Sequence, residues 1–266
     1  MAKPERSAIV TGSGGGGSGR AIARRLAREG FAVAVSDIDD EGGRETVTLI
    51  ERDGGRAAFC RADIAKDDDV RRLTAFAEKM APLGVLVNNA SSHAFDHEKP
   101  LDGWALQVEV DLLGAMSTIR HAISAMQRAG GGAIVNVASI SALWHGRKQG
   151  AGLPAYDAAK AGIIHLTSGL ARLAKSDNIR VNCLCPGWIA THGPLEYWQS
   201  LTPQQRLANG VPAKLLTPEQ IAEAVLRLAT DETLAGRILL WWSEDVPRLI
   251  AEADRGYHDA EAFRVA

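Results

Sequence analysis

The stretch from Ser7 to Asp37 constrains this chain more than any other. Ser7-Ala-Ile-Val-Thr11 is a short apolar run whose β-branched content reads as a buried strand. It stops at Gly12-Ser-Gly-Gly-Gly-Gly-Ser-Gly19. From Arg20 to Glu29, Ile22, Ala23, Leu26 and Ala27 share one helical face and arginines take the other. Gly30 ends that helix, Phe31–Val35 is a second buried strand, and Asp37 sits just past its end. Strand, glycine turn, helix, strand and acid in this order make a dinucleotide-binding fingerprint. The glycines let the backbone approach a pyrophosphate, and the helix N-terminus offers it unpaired N–H groups. Asp37, 18 residues after Gly19, is placed to accept hydrogen bonds from an adenosine ribose. A 2′-phosphate there would meet Asp37, with Asp39 and Asp40 close behind and no arginine at hand, so NAD is expected over NADP. A flexible glycine linker does not fit, because a strand and an amphipathic helix flank the glycines at once.

The alternation continues. Helices are expected over Glu41–Asp53, Asp67–Ala81, Leu101–Ala129, Ala155–Lys175 and Pro218–Thr230. Strands are expected over Arg56–Cys60, Leu83–Asn89, Ala133–Ala138, Ile179–Cys185 and Ile238–Trp242. The segment Trp188–Leu216 reads as irregular, with a short helix near Pro203–Asn209. Strands separated by helices mean an α/β fold, one doubly wound parallel sheet of about seven strands with helices on both faces. No linker divides the 266 residues, so a single domain over 1–266 is expected. A net charge of −2 gives no electrostatic case for nucleic acid or an anionic membrane. No apolar run is long enough to span a bilayer. The N-terminus lacks a signal-peptide core, and Cys60, Cys183 and Cys185 read as buried thiols, so a reducing cytoplasm is expected.

Tyr156 and Lys160 lie four residues apart, one turn above the other on one helix face. A free phenol titrates near pH ~10 and is a poor base at neutrality. A nearby ammonium favours the phenolate and makes an acid/base able to move a proton on or off an alcohol oxygen. Alone, such a pair is ordinary helix-surface chemistry; the surrounding motifs give it meaning.

Together these residues resemble the single-domain short-chain dehydrogenase/reductase family, a Rossmann-fold family, over about residues 6 to 238. The resemblance rests on Thr11-Gly12…Gly17-Ser18-Gly19, Asn88-Asn89-Ala90, Ser139, Tyr156-x-x-x-Lys160, and Pro186-Gly187 with Thr191. It implies an oxidoreductase moving a hydride between nicotinamide and an alcohol or carbonyl carbon. By the same resemblance Tyr156 would be the acid/base, and Lys160 would favour its phenolate and hold the nicotinamide ribose. Ser139 would hydrogen-bond the substrate oxygen. Asp63, with Ile64, would contact adenine, and Asn89 and Ala90 would lie beside the adenosine half. Ile189 would offer its backbone and Thr191 its hydroxyl to the nicotinamide amide.

Four departures stand out. Four residues separate Gly12 from Gly17 where the family has three, and Ser18 fills the usual middle position. Ser91 replaces the usual glycine after Asn-Asn-Ala. Asp111 stands where the family has a relay asparagine; it could hold a water and would add negative charge near Lys160. The interval from Ser139 to Tyr156 is longer than the family norm, which makes Ser141 a second candidate for the serine role.

Trp144, Trp188, Tyr197 and Trp198 are expected to wall an apolar pocket suited to a hydrophobic secondary alcohol or ketone, cyclic and aromatic ones included, unless they merely close a lid. His93 and His97 lack an obvious third ligand, so no metal is expected. The adjacent Trp241 and Trp242 should point to opposite faces, one into the core and one to a subunit contact or the tail over 243–266. The family implies a homodimer or homotetramer. The expected function is NAD(H)-dependent oxidoreduction; the alternative is a non-catalytic dinucleotide-binding sensor or scaffold.

Overall fold

The computed structural model describes residues 6–92, 103–143, 153–243 and 245–252. Its elements in order are β1 (Ser7–Thr11), α1 (Ser18–Arg28), β2 (Ala32–Asp37), α2 (Asp40–Arg52), β3 (Arg56–Arg61), α3 (Asp67–Met80) and β4 (Leu83–Asn88). Then come α4 (Trp104–Val108), a π-helical segment (Glu109–Gly114), α5 (Ala115–Arg128), β5 (Gly132–Val137), a 3-10 turn (Ile140–Leu143), α6 (Pro154–Gly169) and α7 (Leu173–Asp177). The chain continues with β6 (Ile179–Pro186), α8 (His192–Ser200), α9 (Pro203–Ala208), α10 (Pro218–Thr230), β7 (Ile238–Trp241) and β8 (Arg248–Leu249).

The sheet order is β3-β2-β1-β4-β5-β6-β7-β8. The chain winds outward from β1 to β3, then crosses back to β4 and winds the other way. The switch point therefore lies between β1 and β4, where a ligand crevice opens at the strands' carboxyl ends. Strands β1 to β7 pair in parallel. They are buried on both faces: Ala8 and Val10 join the cluster under α1 and α10, while Ile9 joins the cluster under α3 and α5.

The expected doubly wound parallel sheet is present, with one strand more than expected. β8 pairs antiparallel to β7, Leu239 against Leu249 and Leu240 against Arg248. The short return covers an edge that β7 would otherwise present. Ile250 N–H donates to the Ile238 carbonyl at 3.0 Å, and Arg237 donates to the Ile250 carbonyl at 3.2 Å.

Three helix boundaries also differ from expectation. The long helix is interrupted by the π-helical turn at Glu109–Gly114. The helix expected over Ala155–Lys175 breaks at Gly169, and Leu173 N–H bonds back three residues to Leu170. The segment read as irregular contains α8, whose Gly193 and Pro194 lie in its first turn; a missing N–H costs nothing there. Trp241 packs against the core cluster of α1 and α10, and Trp242 lies over Gly187. Cys60, Cys183 and Cys185 are buried free thiols, with the last two sulfurs 3.8 Å apart on one face of β6.

Candidate active site

The glycine loop folds onto β4 and onto the segment after β6. Gly12 adopts φ +66, and a Cβ there would lie 2.6 Å from Ala90 Cα. A Cβ on Gly19 would meet the Gly12 carbonyl at 2.0 Å and Asn89 Nδ2 at 2.6 Å. Asn89 holds the turn by donating to the Thr11 and Gly12 carbonyls at 3.1 and 3.0 Å. The Asn89 and Ala90 N–H groups both donate to Thr11 Oγ1 at 3.1 Å. Helix α1 begins after Gly17 with no side-chain cap and no acid in its first turn, so among the described residues its leading N–H groups, Ser18 and Gly19 among them, meet no side-chain acceptor. A glycine cradle and an uncapped helix start fit a pyrophosphate.

Asp37 holds the lengthened loop. Its Oδ2 accepts from Gly14 N–H at 2.7 Å and its Oδ1 from Asp39 N–H at 3.1 Å. A carboxylate has about four acceptor positions, so room remains for a ribose hydroxyl. The expectation that no arginine stands nearby is corrected here. Arg20 Nη2 donates to the Gly14 carbonyl at 2.8 Å, which places a guanidinium beside the loop. It also bonds Thr46 Oγ1 at 3.0 Å, Glu45 at 2.6 Å and the Gly42 carbonyl at 3.5 Å. Arg61, opposite Asp37 in the sheet register, pairs with Asp40 at 3.1 Å. Asp63 turns the chain after β3: its Oδ1 accepts from Ala65 N–H at 3.1 Å and its Oδ2 pairs with Lys66 at 3.3 Å. Ile64 is buried against Gly114 and lines a small cavity at the site's floor.

That cavity, bordered by Thr11, Asn88, Ala90, Asp111, Val137 and Lys160, has room for about one water molecule. Lys160 is only 4% exposed. Its ammonium pairs with Asp111 Oδ2 at 3.2 Å and donates to the Val137 carbonyl at 3.2 Å. The same Nζ lies 5.4 Å from the centroid of the Tyr156 ring. Asp111 therefore reaches the ammonium directly. It also accepts from Ser91 Oγ, which donates to Oδ2 at 2.5 Å, and from Ser92 N–H, which donates to Oδ1 at 2.8 Å.

The two candidate serines differ in what they hold. Ser141 Oγ donates to Asp157 Oδ1 at 2.6 Å, a short charge-assisted bond. Ser139 Oγ lies 3.0 Å from Ser141 Oγ and accepts from Ser141 N–H at 3.2 Å. With the hydrogen of Ser141 given to Asp157, Ser139 is the donor of the serine pair, and Ser139 is the one whose bond to a neutral oxygen can be exchanged for a substrate.

Beneath the site a buried polar chain crosses the sheet. Thr118 of α5 donates to Asn88 Oδ1 at 2.6 Å and Asn88 Nδ2 donates to Asn136 Oδ1 at 2.9 Å. Asn136 Nδ2 then donates to Thr167 Oγ1 of α6 at 2.9 Å. This chain fixes the helix bearing Tyr156 and Lys160 against the one that follows Asp111.

On the far wall, Pro186 ends β6. Gly187 N–H donates to the Trp241 carbonyl at 2.7 Å, and a Cβ on Gly187 would meet the Trp242 carbonyl at 1.9 Å. Ile189 pairs with Leu216 through its neighbours' groups, since Ala190 N–H and the Trp188 carbonyl make the bonds at 2.8 Å. The Ile189 carbonyl accepts from Thr191 N–H at 2.8 Å. The Thr191 methyl lies 3.1 Å from where a Gly17 Cβ would be, so the glycine loop and this wall face each other. Trp188 and Tyr197 stack with centroids 5.9 Å apart. Trp198 is stitched into its own segment: its indole N–H donates to the Pro212 carbonyl at 3.0 Å, and Arg206 covers its ring at 3.4 Å. Trp144, His93 and His97 lie outside the described residues.

The structure thus brings Asp111, Tyr156 and Lys160 together, joins Ser139 to Ser141, and sets the glycine loop against Thr191. Sequence reasoning noted Ser91 without placing it on Asp111, and gave no role to Asp157 or Arg20. Asp157 sits inside the Tyr-x-x-x-Lys motif and Arg20 directly follows the loop, so proximity in sequence was the available signal. Among the described residues no group of three His, Cys, Asp or Glu could hold a metal, and no helix is long and apolar enough to cross a membrane.

The family model for short chain dehydrogenases matches residues 6–199. A cis-4-hydroxycyclohexanecarboxylate dehydrogenase of Sinomonas cyclohexanicum is 37% identical over 232 residues, covering 85% of this chain and 90% of that protein. The solved structure of a 7α-hydroxysteroid dehydrogenase with NADH and 7-oxo glycochenodeoxycholic acid superposes with a TM-score of 0.77 at 28% identity, over 92% of this chain and 96% of that one. An actinorhodin polyketide ketoreductase with NADPH does so with a TM-score of 0.76 at 28% identity, over 90% and 96%. The chain belongs to the short-chain dehydrogenase family, oxidoreductases that act on CH–OH groups with a nicotinamide dinucleotide.

Proposed function

We propose that the chain is an NAD(H)-dependent dehydrogenase or carbonyl reductase of hydrophobic secondary alcohols and ketones, with Tyr156 as acid/base. The observation that carries this reading is Lys160, buried and paired on the helix of Tyr156 with its ammonium 5.4 Å from the phenol ring. A protein that only binds a dinucleotide has no use for that arrangement, which counts against the sensor or scaffold alternative.

In this reading Gly12, Gly17, Ser18 and Gly19 hold the pyrophosphate, Asp37 the adenosine ribose, and Asp63, Ile64, Asn89 and Ala90 the adenine side. Pro186, Gly187, Ile189 and Thr191 hold the nicotinamide end. A nicotinamide dinucleotide held by these residues would supply the hydride chemistry. The phenol of Tyr156 moves the proton at the substrate oxygen, and the Lys160 ammonium stabilises its phenolate. The Ser139 hydroxyl, turned from Ser141 Oγ to the substrate, donates to the same oxygen and stabilises charge as it develops. Trp188 and Tyr197 supply an apolar wall, which favours a ring substrate like the one named for the Sinomonas relative. The preference for NAD rests on Asp37, with Arg20 and Arg61 already paired to acids. We place the protein in the cytoplasm as a homodimer or homotetramer, with Leu106, Leu113 and Met116 exposed on the long helix for a contact between copies.

Fluorescence titration with NADH and NADPH tests the cofactor, and NAD-linked oxidation of cyclohexanol and cis-4-hydroxycyclohexanecarboxylate tests the reaction. Tyr156→Phe should lose turnover by about 10²–10⁴-fold and bind NADH nearly as before. Wild-type turnover in that variant would remove Tyr156 from the chemistry, and tighter NADPH binding would overturn the role of Asp37.

A further inference from the structure

Two of the chain's departures from its family meet in space. Ser91, in place of a glycine, and Asp111, in place of an asparagine, are 20 positions apart and joined by a hydrogen bond of 2.5 Å. We propose that they act as one unit, in which Ser91 is a positioning residue: its hydroxyl holds the Asp111 carboxylate so that the carboxylate sets Lys160 for the cofactor. The inference rests on the cofactor reading given above.

Three donors converge on Asp111. Ser92 N–H reaches Oδ1, while the Ser91 hydroxyl and the Lys160 ammonium share Oδ2. An asparagine offers one acceptor oxygen and a two-donor NH₂. Placed here, it would turn that NH₂ either on the Ser92 N–H or on the ammonium. The pocket therefore specifies a carboxylate, and the family's amide is not interchangeable with it in this chain. The ammonium in turn has three N–H donors. Asp111 takes one and the Val137 carbonyl another, which leaves one for the nicotinamide ribose. Asp111 is only 2% exposed, so bulk water does not compete with the Ser91 hydroxyl for its carboxylate. Without that hydroxyl, Oδ2 keeps only the ammonium, and the carboxylate can rotate about its bond to the Ser92 N–H and carry the ammonium with it.

The test separates the two halves of the dinucleotide. NADH contacts both the glycine loop and Lys160, whereas ADP fills only the loop half. Ser91→Ala should weaken NADH binding about five- to tenfold and leave ADP binding unchanged, and Ser91→Thr, which keeps the hydroxyl, should restore NADH binding. In an Asp111→Asn background the Ser91→Ala effect should fall below about twofold, because there is no carboxylate left to hold. An unchanged NADH constant in Ser91→Ala, an equal loss for ADP, no rescue by threonine, or additive effects of the two substitutions would each overturn the inference while leaving the cofactor reading intact. A wild-type chain that binds neither ligand refutes the cofactor reading itself, and the positioning role falls with it.

Discussion

Asn136→Ala probes whether the buried polar chain beneath the site is a structural tie. Asn136 is fully buried and bonded on both sides, to Asn88 at 2.9 Å and Thr167 at 2.9 Å. Truncation removes two hydrogen bonds with unequal consequences. Thr167 Oγ1 still donates to the Ile163 carbonyl at 2.9 Å, so it loses only an acceptor role. Asn88 Nδ2 is left with no protein acceptor in the buried interior. A stranded buried donor costs about 1–3 kcal/mol. The space left by the carboxamide adds a smaller packing loss, for a total of about 2–4 kcal/mol. For a chain of this size that is a fall in Tm of roughly 5–15 °C. Urea unfolding should show a lower midpoint at an unchanged slope. The pairing itself is read from Asn88→Ala combined with Asn136→Ala. Once Asn136 is gone, removing Asn88 deletes the stranded donor, so the double variant should lose clearly less than the sum of the singles. Strict additivity, or a single variant with a wild-type midpoint, would show that the two amides do not depend on each other.

Gly19→Ala places a methyl against the Gly12 carbonyl and Asn89, so it should weaken NADH binding at least about tenfold by forcing the loop open. Gly15→Ala, where a Cβ meets nothing within 4 Å, should bind NADH as the wild type does, and equal behaviour of the two would refute the cradle. At acid pH the tie between α3 and α5 should weaken. The Ser117 hydroxyl, then His121 and Arg120, hold the Asp67 carboxyl below its ordinary range. A depressed folded value stabilises the protein above the unfolded value of about 4 and is lost as pH falls through the folded one. The Tm gap between wild type and Asp67→Asn should therefore narrow from about pH 6 to about pH 2, and a constant gap would refute it.

What the sequence shows of this fold depends on how far each signal reaches. Helix α10 is read to the residue because its signals are local: Thr217 and Gln220 form a reciprocal capping box, and Pro218 opens the first turn. The fingerprint from Ser7 to Asp37 is legible for the same reason, since strand, turn and helix follow one another directly. The break at Gly169 and the start of α8 are missed because glycine and proline carry opposite meanings inside a helix and at its end. β8 is two residues long, too short for any alternation to register, and exists because β7 leaves an edge to be met.

The site divides along the same line. Tyr156 and Lys160 are adjacent turns of one helix, so their shared face follows from spacing alone. The π-helical turn at Glu109–Gly114 is invisible to a 3.6-residue period, yet it is the turn that carries Asp111. The Ser91 to Asp111 bond depends on β4 and that turn meeting at the floor of the crevice, which no local pattern encodes. Read singly, each substitution looks like a weakening of a family motif. Read in space, the hydroxyl and the carboxylate complete one buried cluster around Lys160, in which every acceptor oxygen of Asp111 has a donor. A charge 2% exposed is tolerable only when it is paired and hydrogen-bonded in this way. The departures therefore have to be judged as a pair, and a change to either one alone leaves the other without its partner.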